Sequence, residues 1–155
     1  MRSVQNWLDE YGESHRHPVN KTIHWICVPL IMLSVVGLLW GIPRPALFAA
    51  LGPYANWATL VLLAAIGYYL LLSVRLAAGM LLISVLLCVI VQVLMALPWA
   101  LWMTSLAIFV GAWIGQFIGH EIEGKKPSFF KDLQFLLIGP LWLLAAAYRG
   151  LQIAY

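Results

Sequence analysis

Between Thr22 and Ile118 the chain carries only two charged side chains, Arg44 and Arg75. A helix needs about 20 apolar residues to cross the hydrocarbon core of a bilayer. Inside that core every backbone N–H and C=O must find its partner within the protein. A stretch this long and this free of charge has room for four spanning helices and little else. The whole chain is 63% hydrophobic and 10% charged, whereas soluble domains average about 25% charged. The reading is an all-α integral membrane bundle, with residues 1–155 forming one domain. The net charge of +3 comes from basic residues flanking the apolar segments and does not suggest nucleic acid.

Turn residues divide the apolar stretch. Helices are expected at about 21–40, 54–74, 76–97 and 98–119. Asn20 is the expected N-cap of the first, Pro29 should bend it, and "GIPRP" closes it. Residues 46–52 form a short apolar stretch, either a re-entrant turn or an interfacial segment. Arg75 marks a tight connection, because a charge costs far less at a membrane boundary than at a helix centre. Leu97-Pro98 divides the last two helices. Ahead of them, Val4, Trp7, Leu8 and Tyr11 recur at helical spacing. They predict an amphipathic helix over 3–14, suited to the headgroup region. Behind them, "LQFLLIGPLWLLAAAY" (134–148 at its centre) is short for a span and reads as a kinked fifth span or a helical hairpin. "MRSVQNWLDEYGESH" lacks the apolar segment of a cleavable signal peptide, so the first spanning helix is expected to direct insertion.

Basic residues favour the cytoplasmic side. Four spans with an inner N-terminus put Arg2, Arg16, Lys21, Arg75, Lys125, Lys126 and Lys131 inside and leave Arg44 outside. Trp7 and Trp25 then lie at the inner interface, and Trp40, Trp57, Trp99 and Trp102 at the outer one. The same parity brings all four histidines, His15, His17, His24 and His120, to one membrane face. Gly111, Gly115 and Gly119 recur every four residues, a stripe that lets another helix approach closely. It would draw the end of the fourth helix, with His120, toward the start of the first, with His24. Gln116 lies one turn before His120, and Gln92 is nearer the opposite side.

Imidazole is the commonest metal ligand and suits iron, zinc and copper. Three histidines from two segments would make a facial N3 site with open positions. For any single histidine, a solvated place at the interface is the ordinary reading, but four at one interface is not scatter. His17, beside Pro18 in a turn, is the weakest candidate. Glu123 follows His120 by three residues and shares its face if the helix continues. It reads as a support for a histidine, a ligand or a surface acid. Several chemistries lack support. "HEIEG" has glycine where a zinc-protease HExxH needs histidine. There is no Gly-rich phosphate loop, no CxxC, and no motif for a catalytic triad. Cys27 and Cys88 lie in apolar segments and read as free buried thiols. No line of polar residues crosses the helices, which argues against a polar transport path.

"YGESHRHPVNKTIHWICVPLI" together with "QFIGHEIEGKKPSFFKDLQFLLIGPLWLL" resembles the Mpo1-like family. The matching residues are Tyr11, His15, Asn20, His24 and Pro29, then Gly119, His120, Glu123, Pro127 and Gly139-Pro140. Cys27 stands where many relatives have glycine and Ser128 where many have alanine. The resemblance implies an iron(II)-dependent dioxygenase that shortens 2-hydroxy fatty acids by one carbon in an α-oxidation step. It implies Fe(2+) held by His15, His24 and His120, with Tyr11, Asn20 and Glu123 as supports or, for Glu123, a further ligand. The partners would be a 2-hydroxy fatty acid, O2 and the bilayer. Arg16, Lys21, Lys125 or Lys126 would attract the substrate carboxylate while the acyl tail stays in the bilayer. The site would face the cytoplasm, at a bacterial inner membrane or at the endoplasmic reticulum. The rival expectation is a membrane haem- or metal-binding protein without catalysis, for example one holding haem between His24 and His120.

Overall fold

The computed structural model describes residues 2–127 and 134–155. Lys131 and Ser128 lie outside the described residues. The elements are α1 (Val4–Gly12), α2 (Pro18–Trp40), α3 (Ala46–Leu51), α4 (Trp57–Leu72), α5 (Val74–Met95), α6 (Leu101–Glu123) and α7 (Phe135–Gly150). The fold is a helical membrane bundle. Three helices, α2, α5 and α6, are long and apolar enough to cross a bilayer.

The expected fourth long helix is shorter than its sequence suggested. Its start is trimmed by a capping box, in which Asn56 Oδ1 accepts from Thr59 N and Thr59 Oγ1 accepts from Asn56 N. Its end is cut by Ser73, which leaves helical geometry and caps α5 by accepting from Leu76 N. The resulting 16 residues of α4 are about 24 Å long, against a hydrocarbon core of about 30 Å. Ser73, not Arg75, therefore makes the connection. Residues 46–51 form a short helix ending at Gly52, whose φ of +118° favours glycine.

The N-cap of α2 also differs from expectation. Pro18 takes the first helical position, where its missing N–H costs nothing. The cap is His17, whose Nδ1 accepts from Val19 N at 3.2 Å. Asn20 lies inside the first turn, fully buried, because Pro18 has already started the helix. The helix continues through Pro29 to Trp40.

α2 packs most extensively against α6. Small residues permit the approach. A Cβ on Gly115 would stand 2.7 Å from Cys27 Sγ, and one on Gly119 would overlap Asn20 Oδ1. Nearer the far end, Gly37 receives the Ser105 side chain. Gly111, the first glycine of the expected stripe, meets nothing within 4 Å. Residues four apart drift around a helix, and here the contact face passes through Ala112 instead. Cys27 and Cys88 are free thiols.

The two ends of the chain build a platform. α7 is one continuous helix through Pro140 and not a hairpin. Its first turn meets the end of α4, where Tyr69 Oη donates to Leu137 O at 2.9 Å. Its last turn meets the start of α5, where Tyr148 Oη donates to Arg75 O at 3.3 Å. Both ends of α7 thus contact the region around Ser73, so the helix lies across one end of the bundle. The apolar face of α1 is covered by α7: Trp7 sits edge-on to Phe135 at 5.4 Å, and Tyr11 lies 5.6 Å from Trp142. That face was expected to meet lipid headgroups, and α7 covers it instead.

Gly115→Leu is expected to lower stability by about 1–3 kcal/mol through overpacking between α2 and α6. Ala107→Leu, at an exposed position of α6, should remain near the parent. Thermal unfolding in detergent compares the two, and equal midpoints would remove Gly115 from the interface.

Candidate metal centre

The platform end of the bundle is where α1, α2 and α6 deliver their histidines. His15 lies in the link between α1 and α2, His24 in the second turn of α2, and His120 in the last turn of α6. α6 does continue past His120, to Glu123, before Gly124 ends it at φ +69°. The three rings are 1%, 1% and 6% exposed. Their centroids stand 4.2 Å apart for His15–His24, 5.1 Å for His15–His120 and 5.0 Å for His24–His120. One ring nitrogen from each lies within 4.8 Å of the other two, and the group can hold a metal ion.

Hydrogen bonding sets the tautomers. His15 Nδ1 donates to Tyr11 O at 2.6 Å, and His24 Nδ1 donates to Asn20 O at 2.9 Å. A carbonyl only accepts, so each Nδ1 carries the proton and each Nε2 is left with a lone pair. The two Nε2 atoms face each other at 2.9 Å. Burial above all, reinforced by His24, pushes the His15 pKa down to about 3, so this ring is neutral at ordinary pH. Two lone pairs at that distance repel unless a cation lies between them. His120 Nδ1 is also buried and has no hydrogen-bond partner. Two nitrogens at right angles around one ion, each at ~2.1 Å, stand about 3.0 Å apart. The donor set therefore fits a metal ion, and the backbone carbonyls play the orienting part usual behind ligating histidines.

Glu123 supports this arrangement through the segment that carries His15 and the start of α2. Its Oε1 accepts from Arg16 N at 2.8 Å, and its Oε2 accepts from His17 N at 2.8 Å and Asn20 Nδ2 at 3.1 Å. Asn20 Nδ2 also lies 3.3 Å from Ser14 O. Tyr11 stacks on His15 at 4.1 Å with an interplanar angle of 11°, and Trp142 of α7 lies 5.5 Å from His15.

The basic candidates separate. Lys125 and Lys126 line an open groove that reaches His120. Lys125 Nζ also donates to Glu13 O at 2.8 Å. The Arg16 side chain borders a different groove, with Asp9, Trp142 and Arg149. Lys21 is exposed on α2, and His17 is exposed as the helix cap. Gln116 was legible as a neighbour of His120 but not as a site residue. It is 5% exposed and lines a cavity of about 70 Å³ with His24 and His120. The helical spacing to His120 was the available signal.

A membrane bundle with a buried tri-histidine centre at one end is the class of protein these features define. The family model described as 2-hydroxy-palmitic acid dioxygenase Mpo1-like matches residues 1–151, and the chain belongs to that Mpo1-like family. No curated protein and no solved structure matches the chain.

Glu123→Ala is expected to weaken metal binding about 10–100-fold, the usual effect of losing a support behind the ligands, and to lower the melting temperature. His17→Ala should keep the metal and lose only a helix cap worth about 1 kcal/mol. Metal titration and thermal melts separate the two. Unchanged affinity in Glu123→Ala would remove its supporting role.

Proposed function

We propose that the protein is an iron(II)-dependent dioxygenase that shortens 2-hydroxy fatty acids by one carbon. The observation that carries this reading is the pair of facing Nε2 lone pairs on His15 and His24, with the buried His120 ring 5.1 and 5.0 Å from theirs. Three imidazoles without a thiolate suit iron(II) and leave coordination positions open. When bound, Fe(2+) would supply the chemistry with O2. The overall reaction balances: a 2-hydroxy acid and O2 give the acid one carbon shorter, CO2 and water. The bond between C1 and C2 breaks, and the four electrons lost by the substrate reduce O2.

The chain's own residues prepare this reaction. Tyr11 O and Asn20 O hold two imidazoles in the ligating tautomer. Lys125 and Lys126, at the groove reaching His120, attract a carboxylate. The Gln116 amide, in the same cavity as His24 and His120, offers an N–H to an oxygen of the head group. The platform of α1 and α7 keeps bulk water from the site. The lysine and arginine distribution supports a cytoplasmic location for this end of the bundle.

A haem held between His24 and His120 has less support. A macrocycle needs a broad flat slot, whereas the adjoining cavity is about 70 Å³ and ligand pockets usually exceed about 300 Å³.

Purified protein should contain iron, consume O2 when given a 2-hydroxy fatty acid, and release the acid one carbon shorter. His15→Ala, His24→Ala and His120→Ala should each lose iron and drop below about a hundredth of the parent turnover. A double variant should fall little further, because groups acting as a unit are not additive. Full iron in all three single variants would place the metal elsewhere. Bound iron without O2 uptake would leave a metal-binding protein and refute the enzyme reading.

A further inference from the structure

Beside the histidine cavity runs an apolar trench of about 320 Å³. One wall is α2 from Ile31 to Leu39, and the facing wall is α4 from Tyr69 back to Ala58. The far end is marked by Trp57 Nε1, which donates to Pro43 O at 3.2 Å. The near end is marked by Tyr69 Oη on Leu137 O. Ile31, Met32, Trp113, Leu136 and Pro140 line both the trench and the histidine cavity, so the two adjoin along a shared wall.

The trench is a partly open groove, with Val61 on its wall 45% exposed, and its lining is almost wholly apolar. Water is a poor occupant, since a buried water needs two to four polar partners. The two hydroxyls lining the trench are already committed: Ser84 Oγ donates to Met80 O at 2.8 Å, and Tyr69 Oη to Leu137 O at 2.9 Å. The space suits a hydrocarbon chain. The adjoining cavity is lined by His24, His120 and Gln116, which suit a polar head. One amphiphile satisfies both ends.

We propose that the trench holds the acyl chain of the substrate, and that Leu39, Val61 and Ala58 at its far end limit the chain length accepted. This rests on the dioxygenase reading above, and it departs from the sequence expectation that the tail stays in the bilayer. His24 and Leu39 lie just over four turns apart, about 22 Å. That is the reach of a long saturated chain, not of a short or medium one. Ala65 lies midway along the α4 wall, so a large side chain there halves the available depth.

The test uses the purified full-length protein and a long-chain 2-hydroxy fatty acid carrying a diazirine at its far end. After irradiation, adducts should map to α2 and α4 residues near Leu39 and Val61, and unlabelled long-chain 2-hydroxy acid should compete them away. In Ala65→Phe the kcat/KM ratio of long-chain over medium-chain 2-hydroxy acids should fall at least tenfold, since one misplaced methylene in an apolar pocket is already worth roughly 10-fold or more. Val61→Phe should shift it less. Val61 is 45% exposed, so this variant keeps the test decisive if Ala65→Phe does not assemble. Leu63→Phe, facing outward, should change nothing. Adducts spread over outward-facing leucines, or an unchanged length preference in both trench variants with turnover intact, would overturn the trench and leave the dioxygenase reading standing. Competed adducts in the trench without turnover would uphold the trench and refute the dioxygenase.

Discussion

The carboxylate of Glu123 holds the site together. It closes α6 and at the same time receives the first N–H groups of the segment entering α2. A helix start leaves several N–H groups without partners, and its dipole favours a negative charge there. Hydrogen bonds to a charged acceptor are also stronger than neutral ones. One side chain therefore answers three needs of α2 from a different helix. The register follows. His120 is three residues before Glu123, and His24 is one turn after Asn20, which the same carboxylate holds by its side-chain amide. The contact that joins the helices also brings their histidines face to face.

Burying three imidazoles beside a hydrocarbon phase is costly unless their polar atoms are satisfied. Two of the rings spend their Nδ1–H on main-chain carbonyls, which leaves the ligating nitrogens as the unsatisfied atoms. Tyr11 acts twice here, through its carbonyl and through its stacked ring. α7 packs on the face of α1 that carries Tyr11, with Phe135 and Trp142 against its ring, and so holds it in place. The platform is thus part of the site, although α7 contributes no ligand.

The stretch between Thr22 and Ile118, with only Arg44 and Arg75 charged, was enough to read an all-helical membrane bundle, and the spacing of small residues was enough to pair α2 with α6. The shared depth of the histidines was legible from helix parity. What the sequence did not reveal arose from competition between local signals. Asn20 is a good N-cap by type, but Pro18 begins the helix two residues earlier and puts Asn20 inside it, where it meets Glu123. Ser73 ends α4 by a backbone geometry that no hydrophobic pattern registers. Gly111 follows the four-residue rhythm yet faces open space, because a helix turns slightly further than that rhythm allows. The role of α7 was hidden because a short apolar helix looks the same whether it inserts into lipid or lies across other helices. Gln116 was placed one turn before His120, but the cavity that both line was not visible in the sequence.

In a bilayer, lipid tails are as apolar as the helix surfaces, so apolar packing distinguishes weakly between one register of two helices and another. Slipping α6 along α2 by one turn, about 5.4 Å, would exchange one apolar side chain for another along much of their length. It would also separate Glu123 from Arg16, His17 and Asn20, and His120 from His24. The few polar contacts must therefore set the register, and in this chain they cluster at the histidine end. Close approach at Gly115 and Gly119 lets those contacts form, but it does not choose among registers by itself. The clamp and the metal-competent centre occupy the same place for this reason: in a bundle with so few polar groups, the contacts that make the fold unique are the ones that make the site.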